Sequence, residues 1–172
     1  MKVICVMVSS LDGKITKGNS PNIHQWTSKE DQKYFHQLVE THSLIVMGRK
    51  TYEVSNVKPQ AGKLRIVITS NPSKYQGILS QLEFTNEDPK TLVKRLANQY
   101  STMLLVGGGG LNTAFFKAHL VTELWLTFEP RILGKGRMFV EEEDLDTKLE
   151  LLTSEKINEQ GTILLKYKVI PQ

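Results

Sequence analysis

The sequence predicts an α/β protein in which a mostly parallel central sheet, flanked by helices, ends in an antiparallel C-terminal hairpin. Three observations carry that expectation. Short runs rich in Val, Ile and Leu recur along the chain, amphipathic stretches of helical period separate them, and in the last third the alternation lapses so that strand-like segments follow one another directly.

The apolar runs lie at 2–9, 43–47, 64–69, 103–106, 122–128 and 161–170, and each has the length and residue types of a strand. Helical period places helices at about 28–41, 49–56, 90–100 and 111–118. No convincing helix separates the segment around 148–156 from the run 161–170, so these two are expected to form the antiparallel hairpin. No internal repeat, low-complexity tract or Pro/Gly/Ser linker interrupts 1–172, which is therefore expected to fold as one domain.

Composition narrows the class. At 172 residues, with 40% hydrophobic and 23% charged residues, the chain is long enough for one sizeable core, and disorder and collagen are excluded. No apolar run approaches the ~18 residues that a membrane span needs, and the start lacks a small-residue cleavage site, so a cytoplasmic protein is expected. Cys5, the single cysteine, lies in the first apolar run and reads as a buried structural thiol. His24, His36, His42 and His119 show no zinc spacing, so no metal is expected. The formal charge of +4 suits an anionic ligand, but the basic residues are scattered rather than gathered into a stripe, which argues against nucleic acid. The run Glu141-Glu142-Glu143-Asp144 reads as a solvated turn, and Met7, Met47 and Met103 as core packing.

Asp31 draws attention because it shares a helical face with Phe35, Leu38 and Val39, which sets a carboxylate among core-facing positions. Thr27-x-x-Glu30 reads as a capping box, and with Thr27 as the cap, Trp26 and Asp31 fall at positions that touch as a staple. An acid so desolvated keeps its proton to higher pH and can donate it, or can hold a polar ligand through two oxygens. The alternative is local: Asp31 pairs with Ser28 as a cap, or adds a favourable negative charge to the first turn.

Glycine turns follow three of the expected strands. Leu44–Met47 runs into Gly48-Arg49-Lys50-Thr51, where a tight turn opens a helix with cationic and hydroxyl side chains beside its free N–H groups, a site for phosphate. Ile66–Thr69 ends in Ser70-Asn71-Pro72, whose short polar groups cap a turn or bind an anion. Leu104–Val106 enters Gly107-Gly108-Gly109-Gly110-Leu111-Asn112, which is neither a G-x-G-x-x-G fingerprint nor a P-loop. An ordinary turn remains the alternative at each. Three such strand ends in one α/β sheet fit a long, multiply phosphorylated ligand such as a dinucleotide.

These residues together resemble the dihydrofolate reductase superfamily over nearly the whole chain. Trp26, Asp31 and the pair Tyr34-Phe35 are similar to the Trp, acid and aromatic residues around a pterin ring, which implies Asp31 as the active-site acid and Trp26 and Phe35 as substrate contacts. Gly48, Arg49, Lys50 and Thr51 are similar to the segment that binds NADPH phosphates, and Thr69, Ser70 and the adjoining Asn71 to the pocket for the 2′-phosphate. Gly107 and Gly108 resemble the paired glycines beside the nicotinamide and pyrophosphate, with Gly109, Gly110, Leu111 and Asn112 expected to complete that cofactor turn, and Thr127 stands where the family places a threonine bonded to the acid. Ser9–Ile15 with Asp12, Gly107–Asn112 and Pro130–Gly136 look more like a sister branch, the reductase domain at the C-terminus of the riboflavin-biosynthesis deaminase-reductase. Two departures stand out. Val106 replaces the Glu that usually precedes the glycine turn of that branch, and Gly62-Lys63 replaces the Gly-Arg that grips the tail of a folate.

The resemblance implies a dihydrofolate-reductase-like three-layer fold with helices on both faces, NADPH as cofactor, and hydride transfer to a pteridine or ribosylaminopyrimidine by a homodimer. Asp31 and Thr127 are the implied catalytic residues, and Trp26, Phe35, Asp12 and Lys63 the implied substrate contacts. Loop 10–25 is then a lid, or else a mobile surface loop, and Trp125 is core or an oligomer contact. The competing expectation is a nucleotide-binding regulator of the same fold that keeps the cofactor cleft and catalyses nothing.

Overall fold

In the first strand Val3 and Cys5 point one way, Ile4 and Val6 the other, and all four are buried, so this strand must be covered on both faces. The computed structural model describes residues 1–55 and 58–171. The elements follow in the order β1 (Lys2–Ser10), α1 (Lys29–Thr41), β2 (Leu44–Gly48), α2 (Arg49–Ser55), β3 (Leu64–Ile68), β4 (Leu82–Thr85), α3 (Pro89–Leu96), β5 (Thr102–Leu105), α4 (Gly109–Lys117), β6 (Glu123–Glu129), β7 (Leu149–Lys156) and β8 (Ile163–Val169). The strands form one eight-stranded sheet in the order β4-β3-β2-β5-β1-β6-β8-β7. Pairing is parallel from β4 to β6, and β8 runs antiparallel to both β6 and β7.

The sheet divides two cores. On one face Val3, Leu44, Ile66 and Leu105 meet Leu92 and Leu96 of α3 and Phe115 and Phe116 of α4; on the other Ile4, Ile45, Val67 and Leu104 meet Leu38, Phe35 and Val39 of α1 and Tyr52 of α2. The expected three layers are present. Cys5 is fully buried, and burial pushes its thiol up to about 12, which leaves it unreactive.

Several local expectations change. β4 was not anticipated, because Leu-Glu-Phe-Thr is short and only half apolar and becomes a strand by pairing with β3 at the sheet edge. The helix expected at 90–100 starts one residue earlier, where the Asp88 carboxylate accepts from the N–H groups of Lys90 and Thr91, and ends at Leu96. Position 56, the expected end of the second helix, lies outside the described residues. Ser28, not Thr27, caps α1: its hydroxyl accepts from the Asp31 N–H at 3.2 Å. The box Thr27-x-x-Glu30 does not form; Thr27 accepts instead from the Gln32 amide at 3.1 Å, and Glu30 accepts from Asn158 at 3.3 Å.

Candidate active site

Six parallel strands put their carboxyl ends on one edge of the sheet, and there a cleft of about 1300 Å³ runs between α1 and the turns that follow β2, β3 and β5. Asp31 lines one end. It is only 5% exposed, and the Thr127 hydroxyl of β6 donates to its carboxylate. Its pKa is pushed up to about 6, first by burial; the bond from Thr127 pulls it down, and the charge of Glu129 adds to the rise. Phe35 and Tyr34 stand one turn further along α1 on the same wall, and the Tyr34 phenol, itself raised chiefly by burial, finds no hydrogen-bond partner among the described residues.

The rest of the cleft is lined by the strand-end turns. β3, β2 and β5 are neighbours, so Thr69 and Ser70, Gly48–Thr51 and Gly108–Leu111 lie in a row. The Gly48 N–H donates to the Gly107 carbonyl at 2.7 Å and locks two of these turns together. Gly107 has φ +85°, and a Cβ there would meet the Met7 sulfur at 2.9 Å. A Cβ on Gly109 would fall 2.3 Å from the Met138 carbonyl oxygen, so only glycine lets the 131–138 segment lie against the start of α4. That helix has no side-chain cap, and its first turn, Gly109–Leu111, lines the cleft with the Glu141 carboxylate close beside Gly110; uncapped N–H groups at a helix start are the kind of site that accepts a phosphate.

Of the residues singled out in the sequence, Asp31, Thr127, Phe35, Gly48, Arg49, Lys50, Thr51, Thr69, Ser70, Gly108, Gly109, Gly110 and Leu111 all line this one cleft. Six others do not. Asp12 fastens loops: its carboxylate accepts from the Ser10 hydroxyl at 2.6 Å and from the N–H groups of Leu133 and Gly134 at 3.0 and 2.7 Å, bonds that hold it down near 2. Lys63 is paired with Glu40 at 3.2 Å. Trp26 lines a second cavity of about 360 Å³ together with Thr27, Ser28 and Glu129, and with Ser28 as the cap Trp26 and Asp31 no longer occupy the paired staple positions. The Asn71 side chain donates to Ser70 on the surface. Gly107 is turned into the frame by its bond to Gly48, and Asn112 is buried, donating to the Phe139 carbonyl at 2.8 Å.

The 10–25 loop borders the cleft through Ile15, Thr16, Pro21, Asn22, Ile23 and His24, and is tied to the 131–138 segment by the Ile15 and Gly18 N–H groups. Two buried charged residues, Arg65 and Glu129, join those singled out in the sequence. Arg65 lines the far end of the cleft at 1% exposure, with long 3.4 Å bonds to the Leu64 and Val39 carbonyls and an Nε that has no acceptor among the described residues. A lone arginine in the apolar strand Leu-Arg-Ile-Val-Ile was the signal for it. Glu129 stands two residues after Thr127 on the same face of β6, and that spacing was the signal there.

Residues 1–163 match the family model described as the RibD C-terminal domain. The chain belongs to that family. It is 31% identical over 159 residues to the uncharacterized protein YwjB of Bacillus subtilis (strain 168), covering 87% of this chain and 88% of that one. A pyrimidine reductase-like protein from Corynebacterium diphtheriae superposes with a TM-score of 0.79 at 16% identity, covering 99% of this chain and 92% of that one. Dihydrofolate reductase from Enterococcus faecalis, complexed with NADP(H) and RAB-propyl, superposes with a TM-score of 0.71 at 21% identity, covering 98% of this chain and 96% of the other. The fold is thus dihydrofolate-reductase-like. No helix among the described residues is long and apolar enough to cross a membrane.

Proposed function

We propose that the chain is an NADPH-dependent reductase that transfers a hydride to a carbon of a pteridine or ribosylaminopyrimidine. The observation that carries this reading is the juxtaposition of a buried Asp31, its pKa pushed up to about 6, with three strand-end turns along one continuous cleft. Membership of a family whose named relatives include reductases supports the reaction class.

The glycine turn fits a dinucleotide: α4 offers uncapped N–H groups to the cleft, and Gly108 and Gly48 present open backbone rather than side chains. Gly108–Leu111 would hold the pyrophosphate, Lys50, Thr51, Thr69 and Ser70 the adenosine end, and the bound nicotinamide supplies the hydride. Arg49 is less available, because its guanidinium is forked onto Glu53 at 2.7 and 2.8 Å. Asp31 and Thr127 would bind the amidine-like edge of the acceptor ring, with Phe35 against its face. Asp31 then gives its proton to the ring heteroatom next to the carbon that is reduced.

Loss of reduced-nicotinamide absorbance on mixing protein, NADPH and either dihydrofolate or the ribosylaminouracil tests this. Turnover with one of them is expected, and Asp31→Asn should lower kcat by about 100-fold while leaving NADPH affinity within a few fold. Tight NADPH binding without turnover of any related imine or carbonyl would leave the non-catalytic regulator instead.

A further inference from the structure

The start of α1 is completed by a residue from another element. In a capping box the cap hydroxyl accepts from the N–H three residues on, and the side chain at that third position reaches back to the cap N–H. Ser28 does the first with Asp31, but the reciprocal bond is missing: the Ser28 N–H donates to Glu129 Oε1 of β6 at 2.6 Å. Glu129 has taken over the local task of Asp31, and the Asp31 carboxyl is free to turn into the cleft.

Glu129 is 3% exposed, and its second oxygen accepts from the Thr162 hydroxyl at 2.8 Å. Thr162 is held in turn by Asn158, through Nδ2 to its hydroxyl at 2.8 Å and through its own N–H to Oδ1 at 3.0 Å. No lysine or arginine forms an ion pair with Glu129 among the described residues. A buried carboxylate without a cationic partner is seldom kept for stability, since an apolar residue of the same size commonly does as well. Both oxygens act as acceptors, which suits a fixed charge better than a proton donor.

We propose that Glu129 is a positioning residue for Asp31: by taking the Ser28 N–H it frees that carboxyl from helix capping to face the acceptor, and its negative charge, fixed behind the helix start, favours the protonated form of that carboxyl over the ionised one. The proposal rests on the reductase reading above. In each cycle one double bond of the acceptor takes up a hydride and the Asp31 proton, and the carboxylate left behind recovers a proton from solvent in the cleft. The other groups around Asp31 are the Thr127 hydroxyl on β6 and Tyr34 on α1, which has Lys166 of β8 lying 5.8 Å over its ring and feels the charge of Glu155 on β7; His24 lines the same cleft. The like charge that acts on Asp31 directly is that of Glu129.

The test is carbon-13 NMR titration of the aspartate carboxyls, with Asp31 assigned through D31N, in the wild-type protein and in Glu129→Gln and Glu129→Asp. Glu129→Gln keeps size and an acceptor but removes charge; the Asp31 midpoint should fall by about one pH unit, leaving about a tenfold smaller protonated fraction above neutrality. Glu129→Asp keeps the charge and should hold the midpoint close to wild type. A purely structural role makes the opposite forecast, with Gln tolerated and the shorter Asp disruptive. Glu129→Met, a second charge-free variant, carries the same expectation as Gln, so failure of one to fold leaves the other decisive. A midpoint that does not move in a folded charge-free variant overturns the proposal. Because the readout needs no turnover, absence of reductase activity with a shifted midpoint counts against the reductase reading alone. Where turnover is found, its pH profile should move down by the same amount.

Discussion

Asp31 is a group whose protonation trades stability against chemistry. Its pKa is raised from 3.8 to about 6, chiefly by burial, so the sign of its effect on folding follows directly. Below pH 4 both the folded and the unfolded chain hold the proton, and the group exerts no pull. Between 4 and 6 the unfolded chain releases the proton first, and above 6 the folded state is less stable by about 3 kcal/mol than it would be with an unshifted acid. Asp31→Asn removes that penalty. Chemical denaturation at pH 8 should show the variant more stable by up to about 3 kcal/mol, the gain shrinking towards zero near pH 4. A stability difference that is independent of pH would contradict the buried, proton-holding state. Thr127 acts on the same group in the opposite sense, since its hydroxyl favours the ionised carboxyl. Thr127→Val should therefore raise the Asp31 midpoint in a carboxyl titration, and a fall or no change would show that the hydroxyl is not bonded to the anion.

The glycine turn and the first turn of α1 show at the scale of elements what a chain can announce and what it conceals. Runs such as Lys2–Ser10 and Leu44–Gly48 were legible because strands covered on both faces must be continuously apolar, and the alternating helices followed from their period. β4 was not legible, since a short half-polar edge strand owes its conformation to β3 rather than to its own residues. The choice between Thr27 and Ser28 as cap was equally hidden: both are hydroxyl residues, and the decision falls to Glu129, remote in sequence, which binds the Ser28 N–H. Most of the candidate cleft was visible as glycine turns at strand ends, whereas Arg65 and Glu129 become site residues only when the sheet brings β3 and β6 beside α1. Two alanine substitutions separate framework from ligand contact. A Cβ on Gly48 meets the Gly107 oxygen at 3.6 Å, an ordinary contact, so Gly48→Ala should leave the denaturation midpoint nearly unchanged and weaken NADPH binding. Gly109→Ala drives a Cβ to 2.3 Å from the backbone of Met138 and should lower stability by about 1–3 kcal/mol as well as cofactor affinity. Equal stability of the two variants would mean that the 131–138 segment yields freely.

Across the whole molecule the two ends of the sheet are finished differently. On the β4 side, Phe84 packs against Tyr52 and Tyr75, and Glu83 and Glu87 are engaged by Arg95, so the terminal strand is shielded by rings and charges. On the opposite side β7 is exposed along all eight residues, with Leu149, Leu151 and Leu152 at 40%, 54% and 47% and Ile163 of β8 at 39%. A terminal strand with exposed leucines and one unpaired edge is a template for pairing with another chain. A second copy of the same chain is the partner that the homodimer implied by the family resemblance would supply, and pairing about a two-fold axis would place the same leucines opposite one another. Leu152 lies at the register shift between Leu151 and Thr153, has no partner residue on β8 and is exposed, so a charge there should disturb an interface without disturbing the β7–β8 pairing. Sedimentation of the wild-type protein at micromolar concentration should give a dimer, and Leu152→Lys a monomer with an unchanged circular dichroism spectrum. Because the Asp31 cleft sits at the carboxyl edge of strands on the other side of β6, the monomeric variant should retain NADPH affinity. A wild-type protein that sediments as a monomer would remove the homodimer, and a monomeric variant that loses the cofactor would show that the hairpin supports the cleft from a distance.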